Sequence, residues 1–328
     1  MRRAAAFLSG VSLLACLSSC AMTEIPSREV SYSIDAPPKM LFLGDSIAAG
    51  YGLEGYTAGD LYSCPSYANL LKVKYDSELG DKCGHEMVNR AVSGDTSADL
   101  IELIRSGELD NDLKDSDAVV ISVGGNDLLD IMLSFLSSLG ITEKGTFDSG
   151  SFDLFSAASG FLSMNDDVDK ALEQFGTNIR IISDELSKRT DGKVFVQTLY
   201  DPLEHFSKFK KVTDFSEKKI GRLNEIISDN AAERYTVIDV AADFKGKADE
   251  LTNIAGFDIH PNAEGHKVIA DDVDAAFRTA GFSYITTEYG EKRLTKQGRT
   301  AIGGGIAGLL AAITAITAVL LHMKKKEN

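Results

Sequence analysis

The sequence predicts an α/β fold, a mainly parallel sheet with helices on both faces, and three observations carry this. Short apolar runs alternate with longer stretches of helical spacing from residue 39 to residue 277. Runs such as Met40-Leu41-Phe42-Leu43 and Ala118-Val119-Val120-Ile121-Ser122-Val123 are apolar almost throughout, as strands are when covered on both sides. Clusters of Gly, Asp, Asn and Ser follow several of these runs, and in such sheets the functional loops lie at the carboxyl ends of the strands.

In chain order, residues 40–43 are the first strand. Residues 67–79 have helical spacing, 86–91 read as a second strand and 98–104 as a short helix. The β-branched run 118–123 is a central strand. Residues 168–186 form a long amphipathic helix, 194–199 a strand, 217–232 a helix, 236–240 a strand and 263–277 the helix that closes the domain. Residues 133–166 break the alternation. They are rich in Ser and Gly, carry Phe135, Phe147, Phe152, Phe155 and Phe161, and are long for a connection inside a domain. They read as a lid or pocket wall, with a pair of small extra helices as the plainer alternative.

Hydrophobic residues at 44% and charged residues at 25% describe a globular rather than a disordered chain. The formal net charge of −15 leaves no basic face for phosphate, so nucleic acid is not an expected partner, and electrostatic docking on anionic lipid is disfavoured.

The two ends stand apart from the fold. Residues 1–21 are built like a secretory signal peptide, with Arg2 and Arg3, a short apolar run over residues 4–17, and small residues around Cys20. Leu17-Ser18-Ser19-Cys20 resembles a bacterial lipobox, in which Cys20 would be lipidated; cleavage after Ala21 is the alternative. Residues 22–38, with Pro26, Pro37 and Pro38, read as a spacer, 39–284 as the folded domain and 285–300 as a juxtamembrane stalk. Residues 301–321 carry no charge, and at ~1.5 Å per residue they reach about 30 Å, the thickness of a bilayer core. They are expected to be a C-terminal transmembrane helix, with 322–328 as a cytoplasmic tail. Gly304 and Gly308 form a G-x-x-x-G pair within it, a candidate dimer face. Lys and Arg flank both ends, so the positive-inside rule does not orient the span; the leader does, placing the domain outside the cell. In that compartment Cys64 and Cys83 are a candidate disulfide, with two buried thiols as the alternative. Neither Cys nor His has metal-ligand spacing.

Four polar clusters carry the chemistry: Gly44-Asp45-Ser46, Asn89 to Asp95 with Ser93-Gly94, Gly124-Gly125-Asn126-Asp127, and Asp258-Ile259-His260-Pro261-Asn262. Together they hold the parts of an acyl-transfer site. A serine hydroxyl needs a base to take its proton during attack, and an imidazole titrating near neutrality suits that task. The developing oxyanion needs N–H donors. Gly94 offers one at close range, Asn126 offers its side-chain NH₂, and the backbone N–H of Ser46 is a third. Ser46 and Asn126 as mere helix caps is the plainer reading of each residue alone.

In this order and spacing the clusters resemble the four sequence blocks of the SGNH (GDSL-type) hydrolases, over about residues 39–281. Gly-Asp-Ser alone is a weak signal; Gly-x-Asn-Asp after a strand and His-Pro-Asn near the end make the set specific. The resemblance implies a flavodoxin-like three-layer αβα sandwich, no cofactor, and hydrolysis of esters or thioesters. It places Ser46, Gly94, Asn126 and His260 in the four motif positions, with Ser46 as nucleophile and His260 as base. The family sets its Asp three residues before the His, where this chain has Phe257. Asp258, two residues before, is the favoured third member; a backbone carbonyl, Asp201 or Asp243 are the alternatives. Asp45 and Asp127 are expected to bond neighbouring loops, and His266 to face solvent on the last helix. His85 and His205 belong to no motif.

The expected function is that of an extracellular, membrane-anchored serine esterase acting on acylated glycans, small acyl esters or lysophospholipid-type lipids. A surface binding module that keeps the fold without turnover is the rival, its support being the displaced Asp. A nucleotide-binding protein is excluded by the lack of a glycine-rich phosphate loop, and an α/β-hydrolase by the lack of a G-x-S-x-G elbow.

Overall fold

The structure, a computed structural model, describes residues 22–23, 26–80, 83–129, 131, 154–232, 234–290 and parts of 293–317. The chain divides into two units, Tyr32–Tyr284 and a second made of the chain ends, Met1–Ser31 with Ile285–Asn328. The first unit is built on a parallel sheet of five strands: β1 (Lys39–Gly44), β2 (Glu86–Asn89), β3 (Ala118–Ser122), β4 (Lys193–Gln197) and β5 (Thr236–Ile238). Their spatial order is β2-β1-β3-β4-β5, with every neighbouring pair parallel. This is the flavodoxin-like order, and it changes direction between β1 and β3.

The main helices are α1 (Ser46–Ala49), α2 (Tyr67–Leu79), α3 (Ser97–Ser106), α4 (Leu154–Leu186), α5 (Lys210–Asp229) and α6 (Ala263–Ala280). Side chains of a strand alternate between faces, and β1 shows the consequence. Met40 and Phe42 pack with Tyr67, Leu71, Tyr75 and Phe277 of α2 and α6. Leu41 and Leu43 pack with Ile104, Phe175, Ile179 and Leu223 of α3, α4 and α5. Both faces are therefore closed, and β1 and β3 are buried along most of their length.

Helix α2 runs over the residues expected, capped by Ser66, whose side chain accepts from Asn69 N. Thr96 and Asp99 cap α3 reciprocally, satisfying two donors of its first turn. Helix α5 begins at residue 210 rather than 217, because Val212 and Phe215 continue the buried stripe of Ile220 and Leu223 toward the N-terminus. Helix α4 begins at 154, so the last part of the expected 133–166 lid is helix. Residues 154–163 hold only one Gly and no charge, and that lack of polar contrast hides the helical period. Residues 133–153 of that segment lie outside the described residues.

Three further expectations are corrected. The spacer and stalk contain strands: Arg28–Ile34 pairs with Phe282–Glu288, and Met22–Thr23 pairs antiparallel with Arg293–Leu294. Cys64 and Cys83 are not joined. They flank the two ends of α2, whose 13 residues at ~1.5 Å each separate the ends by about 20 Å, whereas a disulfide needs Cα atoms within about 7 Å. The Cys64 thiol instead approaches Gly50 O at 3.6 Å. His266 does not face solvent; it is fully buried, on the same stripe as Ile269, Val273 and Phe277. Its Nδ1 accepts from Tyr67 N at 3.1 Å, satisfying a donor in the first turn of α2. Burial, with His260 nearby, pulls its pKa down to about 3.

The expected leader, 1–21, lies outside the described residues. Among the described residues no helix is long and apolar enough to cross a membrane. The expected span 301–321 falls partly on residues outside that set; those described within it are helical and exposed.

At the end of β1, Gly44 pairs with Ser122 of β3, has φ +120°, and its missing Cβ would stand 1.8 Å from Ser122 O. Backbone on a central strand has no room to yield. Gly44→Ala is expected to lower the melting temperature by more than ~10 °C or to prevent folding; an unchanged melting curve would contradict this packing.

Candidate active site

Ser46 stands where β1 ends at the change in strand order. Asp45 N donates to Ser122 O at 3.0 Å, extending the β1–β3 ladder by one bond. The Asp45 side chain then caps α1: Oδ1 accepts from Ile47 N at 3.0 Å and from Ser122 Oγ at 2.9 Å. From the other side Asn89 at the end of β2 donates Nδ2 to Ala48 O at 2.9 Å. The single turn that carries Ser46 is thus tied to both neighbouring strands. Asp45 is 2% exposed. Burial pushes its carboxyl up to about 7, against the lowering effect of Ser122 and Ile47, and nearby Asp127 raises it further.

His260 comes from the loop before α6, which is fixed at several points. Asn253 N donates to His260 O at 2.9 Å, and Tyr200 OH donates to Ile259 O at 2.8 Å. Asn262 caps α6 by accepting from Glu264 N and Gly265 N, while its Nδ2 donates to Glu250 O at 2.8 Å. So held, His260 Nε2 lies 2.9 Å from Ser46 Oγ, although the two residues are 214 apart in the chain.

Asp258 meets the other ring nitrogen: Oδ1 contacts His260 Nδ1 and also accepts from His260 N at 3.0 Å. The spacing of two residues works because Phe257 adopts the left-handed conformation, φ 64°, at the end of a 3₁₀ turn. That turn brings the carboxylate back onto the ring of the next residue but one. The two alternative acids are placed elsewhere. Asp201 accepts from Leu203 N and Ser216 Oγ, and Asp243 shares a hydrogen bond with Asp272.

Ser46, Asn126 and His260 line one cavity of about 70 Å³, walled by Ile47, Leu128, Leu199, Leu203, Ile220 and Ile259. Gly94 lies in the β2–α3 connection at φ +98° and is linked to the site through Asn126, whose Nδ2 donates to Asp95 O at 2.8 Å. That bond uses one of the two amide hydrogens of Asn126. Asp127 accepts from both N and Oγ of Ser97, bonding a neighbouring loop as expected. Among the described residues no group of His, Cys, Asp or Glu is placed to hold a metal ion.

With this geometry in view, the sequence matches the family model of GDSL-like lipases and acylhydrolases over residues 42–268. The chain belongs to that family. It is an ester-bond hydrolase by that membership, and the four polar clusters lie within the matched residues. An uncharacterized Bacillus subtilis protein, YpmR, is 22% identical over 205 residues, 60% of this hydrolase and 68% of that protein. Two solved structures share the fold. The lipase Lip_vut3 from a goat rumen metagenome has a TM-score of 0.55 at 19% identity, covering 73% of this chain and 96% of its own. An extracellular lipase from Streptomyces rimosus has a TM-score of 0.53 at 17% identity, covering 73% and 99%.

Sequence reasoning missed two residues of the site. Tyr51 packs its ring 4.6 Å from that of His260. Gly52, at φ +87°, lies where a Cβ would meet Asp258 Oδ2 at 2.9 Å and His260 Cβ at 3.2 Å. Their signal was the Gly50-Tyr51-Gly52 triplet directly after the serine helix, which in a chain with 29 glycines stands out little.

Two outcomes are expected from these contacts. Gly52→Ala should displace Asp258 and lower turnover about 10–100-fold while leaving most of the stability; wild-type turnover would show that the crowding is illusory. Asp45 binds a proton more tightly folded, at about 7, than unfolded, at about 3.9, so its own contribution to stability falls as pH rises through that window. Asp45→Asn removes the effect. Its unfolding free energy in urea should gain on wild type from pH 4 to pH 8, and parallel pH profiles would rule the effect out.

Proposed function

We propose that this hydrolase is an extracellular, membrane-anchored serine esterase that cleaves short-chain carboxylic esters or thioesters through an acyl-enzyme on Ser46. The observation that carries the reading is the chain of contacts Ser46 Oγ–His260 Nε2 and His260 Nδ1–Asp258 at the mouth of an apolar cavity. Ser46 Oγ attacks the acyl carbon as His260 Nε2 takes its proton. Asp258 holds the imidazole in the tautomer that leaves Nε2 free to accept, and stabilises the imidazolium that forms. The oxyanion is held by N–H groups of Ser46 and Gly94 and by the second amide hydrogen of Asn126. His260 then gives its proton to the leaving alcohol, and water repeats the sequence to free the acid.

The cavity supports a short acyl group. An apolar cavity of about 150 Å³ takes up benzene, so one of about 70 Å³ holds an acyl chain of three or four carbons. Its walls are mainly aliphatic, with Tyr200 beside them, which favours such a chain over acetyl. The rival reading as a binding module rested on the displaced Asp, and the contact of Asp258 with His260 removes that support. The leader and the uncharged run 301–321 support the location, as do Leu310, Ile313 and Ile316, large apolar side chains left exposed on helical residues.

The full-length protein is expected to hydrolyse p-nitrophenyl esters with an optimum at propionyl or butyryl, and Ser46→Ala to lose this activity with an unchanged circular dichroism spectrum. Residual turnover at the wild-type level in that variant would remove the nucleophile, and an optimum at palmitoyl would remove the short-chain reading. Protease added to intact cells is expected to release the domain; protection would place it inside.

A further inference from the structure

On the acyl-enzyme reading the cavity takes the acyl group, which leaves the departing alcohol to the side away from it, where the imidazole gives it a proton. The group packed on that imidazole is Tyr51, with ring centroids 4.6 Å apart, and Tyr51 remains 44% exposed. Tyr56 stands edge-on behind it, centroids 5.3 Å apart and rings at 63°. Tyr56 is fixed in turn by its hydroxyl, 3.0 Å from Ser93 Oγ beside Gly94. Neither tyrosine lines the aliphatic cavity. Ser46 and His260 thus lie between two different surfaces, an aliphatic cavity and an open aromatic shelf.

The chemistry around the shelf narrows what it accepts. Its surroundings are polar and acidic: Glu54, Asp60, Asp95 and Asp258 lie on the loops that build the site, and Asp99 in the first turn of α3. Residues 45–63, 91–99, 123–129 and 252–262 contain no Lys or Arg. Such a field repels a phosphate-bearing headgroup and offers it no cation. A simple alkyl alcohol would use neither the aromatic face nor the polar rim. A pyranose ring uses both, because its C–H face lies against the negative face of a tyrosine ring while its hydroxyls meet the oxygens and amides at the edge.

We propose that Tyr51, backed by Tyr56, forms the leaving-group subsite of this hydrolase, and that the alcohol it accepts is a neutral sugar ring. The inference rests on the acyl-enzyme reading above and adds the alcohol to it.

The test compares three butyryl esters with the full-length protein: a butyrylated methyl glucoside, ethyl butyrate and a butyryl ester of glycerol phosphate. The sugar ester is expected to have the highest kcat/KM of the three. In Tyr51→Ala the ratio of sugar to ethyl ester should fall about tenfold, chiefly through KM for the sugar ester, and Tyr51→Trp should keep the ratio. An equal loss on both neutral esters would mean that Tyr51 only steadies His260, and would overturn the subsite while leaving the esterase reading intact. A preference for the phosphate ester would overturn the choice of a sugar. Failure of wild type to cleave any of the three would instead bring down the esterase reading on which the subsite depends.

Discussion

The close approach of the carboxyl ends of β1 and β3 is the constraint from which the site follows. At Gly44 there is no space for a side chain against Ser122 O, so the backbones of the two strands lie directly against each other where the strand order changes direction. The next residue, Asp45, is thereby brought within hydrogen-bonding reach of Ser122 Oγ, and its carboxyl turns to cap the helix that begins with Ser46. A loop serine would sample many positions. This one is the first residue of a buried turn bonded to strands on both sides, which removes that freedom before substrate arrives. His260, fixed by Asn253, Asn262 and Tyr200, then needs to meet only one defined point.

The electrostatics are consistent with this arrangement. The loops around the site carry many carboxylates and hardly any cations, so a developing oxyanion has to be met by neutral N–H dipoles aimed in advance. A full negative charge on Asp45, directly behind Ser46, would oppose an oxyanion formed there. Burial lifts its carboxyl to about 7, so near neutrality a large share of it is uncharged. The carboxyl still accepts two hydrogen bonds in either state, and its positioning role survives protonation.

The residues hardest to read were those whose partners come from elsewhere in the chain. His266 sits between Glu264 and Lys267, which suggests an exposed turn, yet its period matches the buried stripe of α6, and only the packing of α2 against that stripe shows what the ring bonds. Cys64 and Cys83 looked like a pair because the compartment would allow one, whereas the straight helix between them keeps them apart. Asp258 sat one residue away from the expected place. Its reach depends on the left-handed Phe257, and a non-glycine residue in that conformation leaves no mark in a sequence.

By itself the sequence determined the alternation of strands and helices, the depth of the sheet and the polar clusters that meet at Ser46 and His260. These follow from local period and residue type, which a linear chain displays directly. Tertiary structure alone decided which acid faces His260, that Asn126 braces the Gly94 loop, that a small, mainly aliphatic cavity opens beside Ser46, and that Tyr51 packs on the His260 imidazole. Each of these is a distance between groups far apart in sequence or a conformation at a single turn, and such quantities exist only once the chain has closed on itself.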